Sequence, residues 1–196
     1  MSNKKEAFAF TPEMEEKAQN FLARYPKDRS ASAVMPLLDL AQRQNGGWLS
    51  QAGMDYVADR LGLAPIRVYE VATFYSMYKL KPIGKVHVQV CTTTPCWLRG
   101  SDEVVGTCKD VLGIGMGETT EDGKFSLAEV ECLGACVNAP LIQVGDDYYE
   151  DLDAASTKAL LEAFKRGDEV KAGPQVDRQT SAPVGGPKTL TNAEQG

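Results

Sequence analysis

Hydrophobic positions repeat with a helical period over roughly residues 11–80, then change near Lys85 to short strands mixed with helices. Thr11-Pro12 followed by Glu13, Glu15 and Glu16 reads as a helix start, with proline in the first turn and acids at the positive end of the dipole. Val34, Leu37, Leu38 and Ala41 lie on one face of a second helix that stops before Asn45-Gly46-Gly47. Pro36 sits inside that pattern, so the helix starts late or kinks there. Ser50 is placed to cap a third helix with Met54, Val57, Ala58 and Leu61 inward and Gly62 at its end. Pro65 opens a fourth, with Val68, Val71, Ala72 and Tyr75 on one face.

Beyond Lys85, Val86, Val88 and Val90 alternate with His87 and Gln89, which predicts a half-buried strand running into Cys91. Pro95 and Cys96 begin a helix whose inner face is Val104, Val105, Cys108, Val111 and Leu112. Phe125–Val130 reads as a second strand, leading into Cys132. Leu141–Val144 and Tyr148–Glu150 read as a hairpin turned at Gly145-Asp146-Asp147. Asp153 caps a last helix with Leu160, Leu161 and Phe164 inward. The order β-α-β-β-β-α gives an α+β chain: an N-terminal helical bundle over residues 1–82, then a sheet with helices packed on it over 83–167. From 168 to 196 the chain is polar, aperiodic and rich in glycine and proline, which predicts a flexible tail.

Composition changes this picture little. A chain of 196 residues that is 43% apolar and 24% charged is long enough to bury a core. No apolar run approaches the ~20 residues of a membrane span, so no direct membrane insertion is expected. The first residues, Met-Ser-Asn-Lys-Lys-Glu-Ala-Phe, lack the apolar core of a secretory signal and the Arg-rich pattern of a transit peptide, which predicts a cytoplasmic chain. A net charge of −6 argues against general nucleic-acid binding, because little counterion release would accompany it.

The candidate chemistry lies in four of the five cysteines: Cys91-Thr-Thr-Thr-Pro-Cys96 and Cys132-Leu-Gly-Ala-Cys136. In a reducing compartment, paired cysteines point to metal or redox chemistry rather than structural disulfides. A two-iron cluster takes four thiolates, which two close pairs satisfy. Pro95 pre-sets a helical turn, placing Cys96 where free N–H groups favour a thiolate, and Gly134 lets the second loop fold tightly. A structural zinc bound by four cysteines uses loops of similar length, and spacing alone leaves it open. No Cys-x-x-Cys dithiol occurs. His87, the single histidine, cannot supply the pair a Rieske centre needs and reads as an ordinary residue on the outer face of its strand. Cys108 belongs to an apolar helix stripe and reads as a buried free thiol. Gly113-Ile-Gly115-Met-Gly117 follows a helix, lacks the dinucleotide fingerprint and reads as a flexible loop. Asp146-Asp147 and Glu150-Asp151 read as a solvated turn, and no catalytic residue is assigned.

Three segments, Val71-Ala-Thr-Phe-Tyr75, Val88-Gln-Val-Cys-Thr-Thr-Thr-Pro-Cys96 and Glu131-Cys-Leu-Gly-Ala-Cys136, resemble the thioredoxin-like 2Fe–2S subunits of bacterial NADH:quinone oxidoreductase, respiratory complex I. The likeness runs over about residues 10–166, and both loops have the family's spacing, which selects the cluster over zinc. It implies a thioredoxin-like second domain holding one 2Fe–2S cluster, with Cys91 and Cys96 on one iron and Cys132 and Cys136 on the other. It further implies single-electron exchange with the FMN of a flavoprotein partner that also binds NADH, during NADH oxidation and quinone reduction. The large iron–sulfur subunit of the same module would be a second partner, and the complex would hold the chain peripherally on the cytoplasmic side of the inner membrane. Related subunits of NAD-linked formate dehydrogenases and NAD-reducing hydrogenases carry similar loops and form the alternative. A docking module whose cluster only holds the fold together is a third reading. The tail lies outside the family's core pattern.

Overall fold

The computed structural model describes residues 8–186 and Thr189. The expectations for the first seven residues, and for the tail beyond Gly186 apart from Thr189, lie outside the described residues. The chain forms two compact units, passing from one to the other between Ile83 and Gly84.

The first unit is helical: α1 (Pro12–Leu22), a 3-10 turn (Lys27–Ala33), α2 (Val34–Gln44), α3 (Gln51–Leu61) and α4 (Pro65–Phe74). Thr11 caps α1 by accepting from the Met14 N–H, and Ser50 caps α3 by accepting from the Gly53 N–H. These bonds occupy donors that the first helical turn leaves unpaired. Gly62, at φ 65°, closes α3 in the left-handed region that suits glycine. Pro36 produces no kink. The preceding 3-10 turn delivers the chain to Val34, so Pro36 falls in the first turn of α2, where a missing N–H costs no helical bond. Leu37, Leu38, Ala41, Val57, Ala58, Val68 and Ala72 fill the core. Tyr75 departs from the expected face. The helix ends at Phe74, and Tyr75 turns outward, extended and 40% exposed.

The second unit is a five-stranded sheet in the order β2-β1-β3-β4-β5. Its elements are β1 (Val86–Cys91), α5 (Thr94–Leu98), α6 (Ser101–Leu112), β2 (Phe125–Val130), β3 (Ile142–Val144), β4 (Asp147–Glu150), α7 (Ala154–Arg166) and β5 (Gly173–Pro174). β1 and β2 are parallel, with Val86 opposite Phe125 and Cys91 opposite Val130; β3 runs antiparallel to both β1 and β4. The alternation read from the sequence has its physical result here: Val88, Val90, Phe125 and Leu127 are buried with Val104, Cys108, Leu160 and Leu161 of α6 and α7. Asp153 and Ser156 form a reciprocal capping box at the start of α7.

Three details differ from the sequence pattern. The helix expected to begin at Pro95 is two helices, α5 and α6, parted at Gly100, whose φ of 96° no ordinary L-residue adopts comfortably. The loop after α6 is pinned: the Gly117 N–H donates to Leu127 O at 2.7 Å and the Leu127 N–H to Glu118 O at 3.1 Å, fastening it to β2. The third is the start of the tail. β5 pairs in parallel with Tyr149 and Glu150 of β4, and the Gln175 N–H donates to Glu150 O at 2.9 Å. Glycine and proline suggest a mobile chain by composition, but here they form an edge strand with few ladder bonds, where the missing proline donor is not needed.

Candidate metal centre

Parallel pairing of β1 with β2 creates the site. Two neighbouring parallel strands end at the same edge of the sheet, so the loops that follow them meet there. Cys91 is the last residue of β1, and its register partner Val130 ends β2 shortly before Cys132. The loops are tied across this edge. The Thr92 N–H reaches Val130 O at 3.4 Å, the Thr92 hydroxyl bonds Glu129 Oε1 at 2.5 Å, and the Cys91 N–H donates to Leu141 O at 3.3 Å. Cys96 lies in the first turns of α5, behind Pro95. In the second loop Gly134 takes a φ of 84°, and Cys136 opens a 3-10 turn, Cys136–Asn138. The Tyr148 hydroxyl donates to Leu133 O at 2.9 Å and fixes the loop's middle.

The structure brings all four sequence-predicted cysteines to this edge in two unlike pairs. Cys91 and Cys96 are buried, over a floor of Ala139 and Leu141. Cys132 and Cys136 are exposed, their sulfurs 3.4 Å apart. Among the described residues no three His, Cys, Asp or Glu side chains are grouped to hold a single metal ion. The thiols come as pairs, and a two-iron cluster asks for two protein thiolates on each iron. Cys108 is remote in character as well as position: it is buried in the core under α6, and burial pushes its thiol up to about 12.

Electrostatics differ within each pair. Burial raises the Cys91 thiol, but bonds from the Thr93 hydroxyl, the Leu133 backbone and Cys96 outweigh it and leave the group below its ordinary value. Cys96 is pushed up to about 12 by burial and by its bond to Cys91. Cys132 is lowered by the Gly134 backbone N–H and by Cys136, while Cys136 is raised by the bond to Cys132 and by burial. Within each pair one sulfur is favoured as the anion and the other is disfavoured. Metal binding displaces thiol protons, and the soft sulfur donors suit iron–sulfur chemistry. The residues present fit a 2Fe–2S cluster.

The run Thr92–Thr94 directly after Cys91 offers hydroxyls that could donate to sulfur, and the structure places that of Thr93 at Cys91. The Thr93 hydroxyl lies 3.3 Å from Cys91 Sγ and also helps to hold the Cys132 thiol below its ordinary value. Thr93 stands at the N-cap of α5 without making a capping bond, and beside a thiolate, which can only accept, its hydroxyl is the donor. Donation to a thiolate favours the more negative, reduced state of a bound cluster. Thr93→Val therefore lowers the reduction potential by about 40 mV, a hydrogen bond of about 1 kcal/mol expressed for one electron. A redox titration followed by EPR reads the shift, and an unchanged potential removes Thr93 from the centre.

A thioredoxin-like sheet carrying four thiols in two loops at one edge defines a small iron–sulfur protein of the ferredoxin class. The chain belongs to the thioredoxin-like [2Fe-2S] ferredoxin family, whose model matches residues 18–165. It is 54% identical to the NADH dehydrogenase [ubiquinone] flavoprotein 2, mitochondrial, of Dictyostelium discoideum, over 96% of this chain and 76% of that protein. It is also 54% identical to an NADH-quinone oxidoreductase subunit of Rickettsia bellii, over 84% of this chain and 99% of that one. Among solved structures, an NAD+-reducing [NiFe]-hydrogenase in the air-oxidized state matches 69% of this chain with a TM-score of 0.60 at 18% identity. This chain spans 23% of that hydrogenase chain, and the likeness is one of fold.

Proposed function

We propose that this chain is the 2Fe–2S electron-carrier subunit of an NADH:quinone oxidoreductase, with Cys91 and Cys96 holding one iron of a single cluster and Cys132 and Cys136 the other. The observation that carries this is the meeting of both cysteine loops at the shared end of β1 and β2. Such a cluster supplies one-electron transfer. The protein's own part is to hold the ligands: the buried pair anchors the centre in the sheet, and the exposed pair leaves its other side towards solvent or a partner. Identity of 54% over 76% and 99% of the length of two relatives named as an NADH dehydrogenase flavoprotein and an NADH-quinone oxidoreductase subunit supports this machine over a hydrogenase or formate dehydrogenase.

The partners follow from the chemistry the chain lacks. A hydride donor needs a flavin to split its electron pair, so a flavoprotein subunit binding FMN and NADH is one partner, with the large iron–sulfur subunit of the same module beside it. Exposed apolar residues give such partners something to cover. Phe74 is 79% exposed, with Met77 and Leu80 nearby on the first unit, and Trp97, Leu98 and Val137 flank the cysteines on the second. No helix among the described residues is long and apolar enough to cross a membrane; the proposed place is peripheral, through the complex, on the cytoplasmic side of the inner membrane.

The test is EPR of the assembled complex frozen soon after NADH is added. A spin-one-half 2Fe–2S signal that appears with NADH, and is missing in complex carrying Cys132→Ser, supports the carrier. A signal raised only by a strong chemical reductant would leave the chain a docking module. Pull-down of the complex through this chain identifies the machine: hydrogenase or formate dehydrogenase subunits in place of a quinone-linked module would overturn the assignment.

A further inference from the structure

Arg178 lies in the segment whose sequence predicted a mobile tail, yet its guanidinium is buried against the second cysteine loop. Its Nη1 donates to Asn138 Oδ1 at 2.7 Å, lies 3.4 Å from Val137 O and pairs with Asp151 Oδ1 at 3.4 Å. The Arg178 and Asp151 side chains are 9% and 7% exposed. Asn138, the hub, ends the 3-10 turn that Cys136 opens. Its Nδ2 donates to Glu150 Oε2 at 2.6 Å and to Thr180 O at 3.0 Å. Its backbone N–H reaches back to Ala135 O at 2.9 Å, and its carbonyl accepts from the Asp151 N–H at 2.8 Å. The acidic residues Glu150 and Asp151, expected in a solvated turn, are instead used in this network because a buried guanidinium and a buried amide need acceptors.

Backbone strain points to the same place. Among the described residues, the non-glycine residues with positive φ are Asp151 at 55° and Thr180 at 48°, and both bond Asn138. Strained conformations persist where their surroundings over-determine them, and they gather at functional sites. A buried ion pair is a poor device for stability but a good one for fixing a single geometry.

We infer that residues 173–180 are a strap holding the Cys132–Cys136 loop in its metal-binding shape, with Arg178 as the positioning residue. The strap is anchored at one end by β5 on β4 and at the other by Thr180 on Asn138. Arg178 spans the middle, and it touches no cysteine; it acts through Val137 and Asn138, the residues that continue from Cys136. The inference rests on the reading of Cys132 and Cys136 as ligands.

The test uses the full chain, cluster-loaded, as wild type, Arg178→Ala and Arg178→Lys. Outer partners of a metal site typically change affinity about 10-fold or more, so Arg178→Ala releases iron to a chelator about 10-fold faster and shifts the EPR g-values of the reduced protein. Arg178→Lys keeps a charge for Asp151 but lacks the planar fork, and falls between the two. If Arg178→Ala lowers thermal stability yet leaves g-values and iron release within about twofold of wild type, the strap is only a structural edge and the inference fails. Should the alanine variant not fold, the lysine variant decides alone, and wild-type behaviour in it overturns the proposal. Absence of iron and sulfide from the wild-type chain would instead sink the ligand assignment. Hydrogen exchange of the amides at 133–138 then still judges the strap: faster exchange in the variants supports it and unchanged exchange refutes it.

Discussion

Cys132→Ser will give a folded chain that has lost its 2Fe–2S signal, whereas Cys108→Ser will keep the full signal. Serine offers a hard oxygen with a far higher pKa than a thiol, so it is a weak ligand to iron in a site built for soft sulfur. The wild-type chain should hold about two irons and two labile sulfides, and the variant well under one of each. Cys132 is the informative ligand to change because it is exposed. Replacing it removes a donor without placing a hydroxyl in the interior. Cys96→Ser also removes a donor, but Cys96 is 1% exposed over an apolar floor, so a new hydroxyl there costs folding free energy as well. Metal analysis, visible absorption and far-UV circular dichroism separate these outcomes. A Cys132→Ser chain with normal iron and signal, beside a Cys108→Ser chain without them, would move the site away from the sheet edge.

The four thiols could be read from the sequence because their spacing is local, and the strand leading to Cys91 alternates Val86, Val88 and Val90 with His87 and Gln89. What joins them is not local. The parallel register of β1 with β2, which sets Cys91 opposite Val130, arises from hydrophobic residues far apart in the chain, and no short pattern encodes it. The helices of the first unit were legible through their caps, Thr11 and Ser50, and through Gly62. Pro36 was ambiguous because its effect depends on where the preceding turn delivers the chain, which the 3-10 turn Lys27–Ala33 decides. Gly100 was missed as a break because Pro95 signals a helix start and the apolar face Val104 to Leu112 was joined to it as one helix, while a φ of 96° at Gly100 parts the two. The strap was illegible for a different reason. Composition reports how little apolar surface a segment can bury, and residues 173–180 are held by hydrogen bonds and one buried ion pair instead.

The second unit has one position where a single methyl group will strain the strand pair that holds the site together. Gly84 sits just before β1, and a Cβ there would stand 2.5 Å from the Phe125 carbonyl carbon and 2.7 Å from the Ser126 nitrogen. Those are backbone atoms of β2, with no rotamer to escape into. The Gly84 N–H also donates to Ser126 Oγ at 2.6 Å in a buried bond, and Ser126 Oγ in turn shares a hydrogen with Thr119 Oγ1. Gly84→Ala must therefore push β2 away from the start of β1, in the same parallel ladder whose far end carries Cys91 and leads to Cys132. The cost expected is about 3 kcal/mol, the upper range for overpacking a rigid site. Gly106→Ala provides the opposite sign. Gly106 lies inside α6 with nothing within 4 Å of the added Cβ, and alanine gains up to about 1 kcal/mol over glycine in a helix interior. Urea unfolding of both variants reads the swing of about 4 kcal/mol between identical substitutions. Equal midpoints for the two would mean that β1 and β2 are not packed as described, and the meeting of the cysteine loops would lose its structural basis.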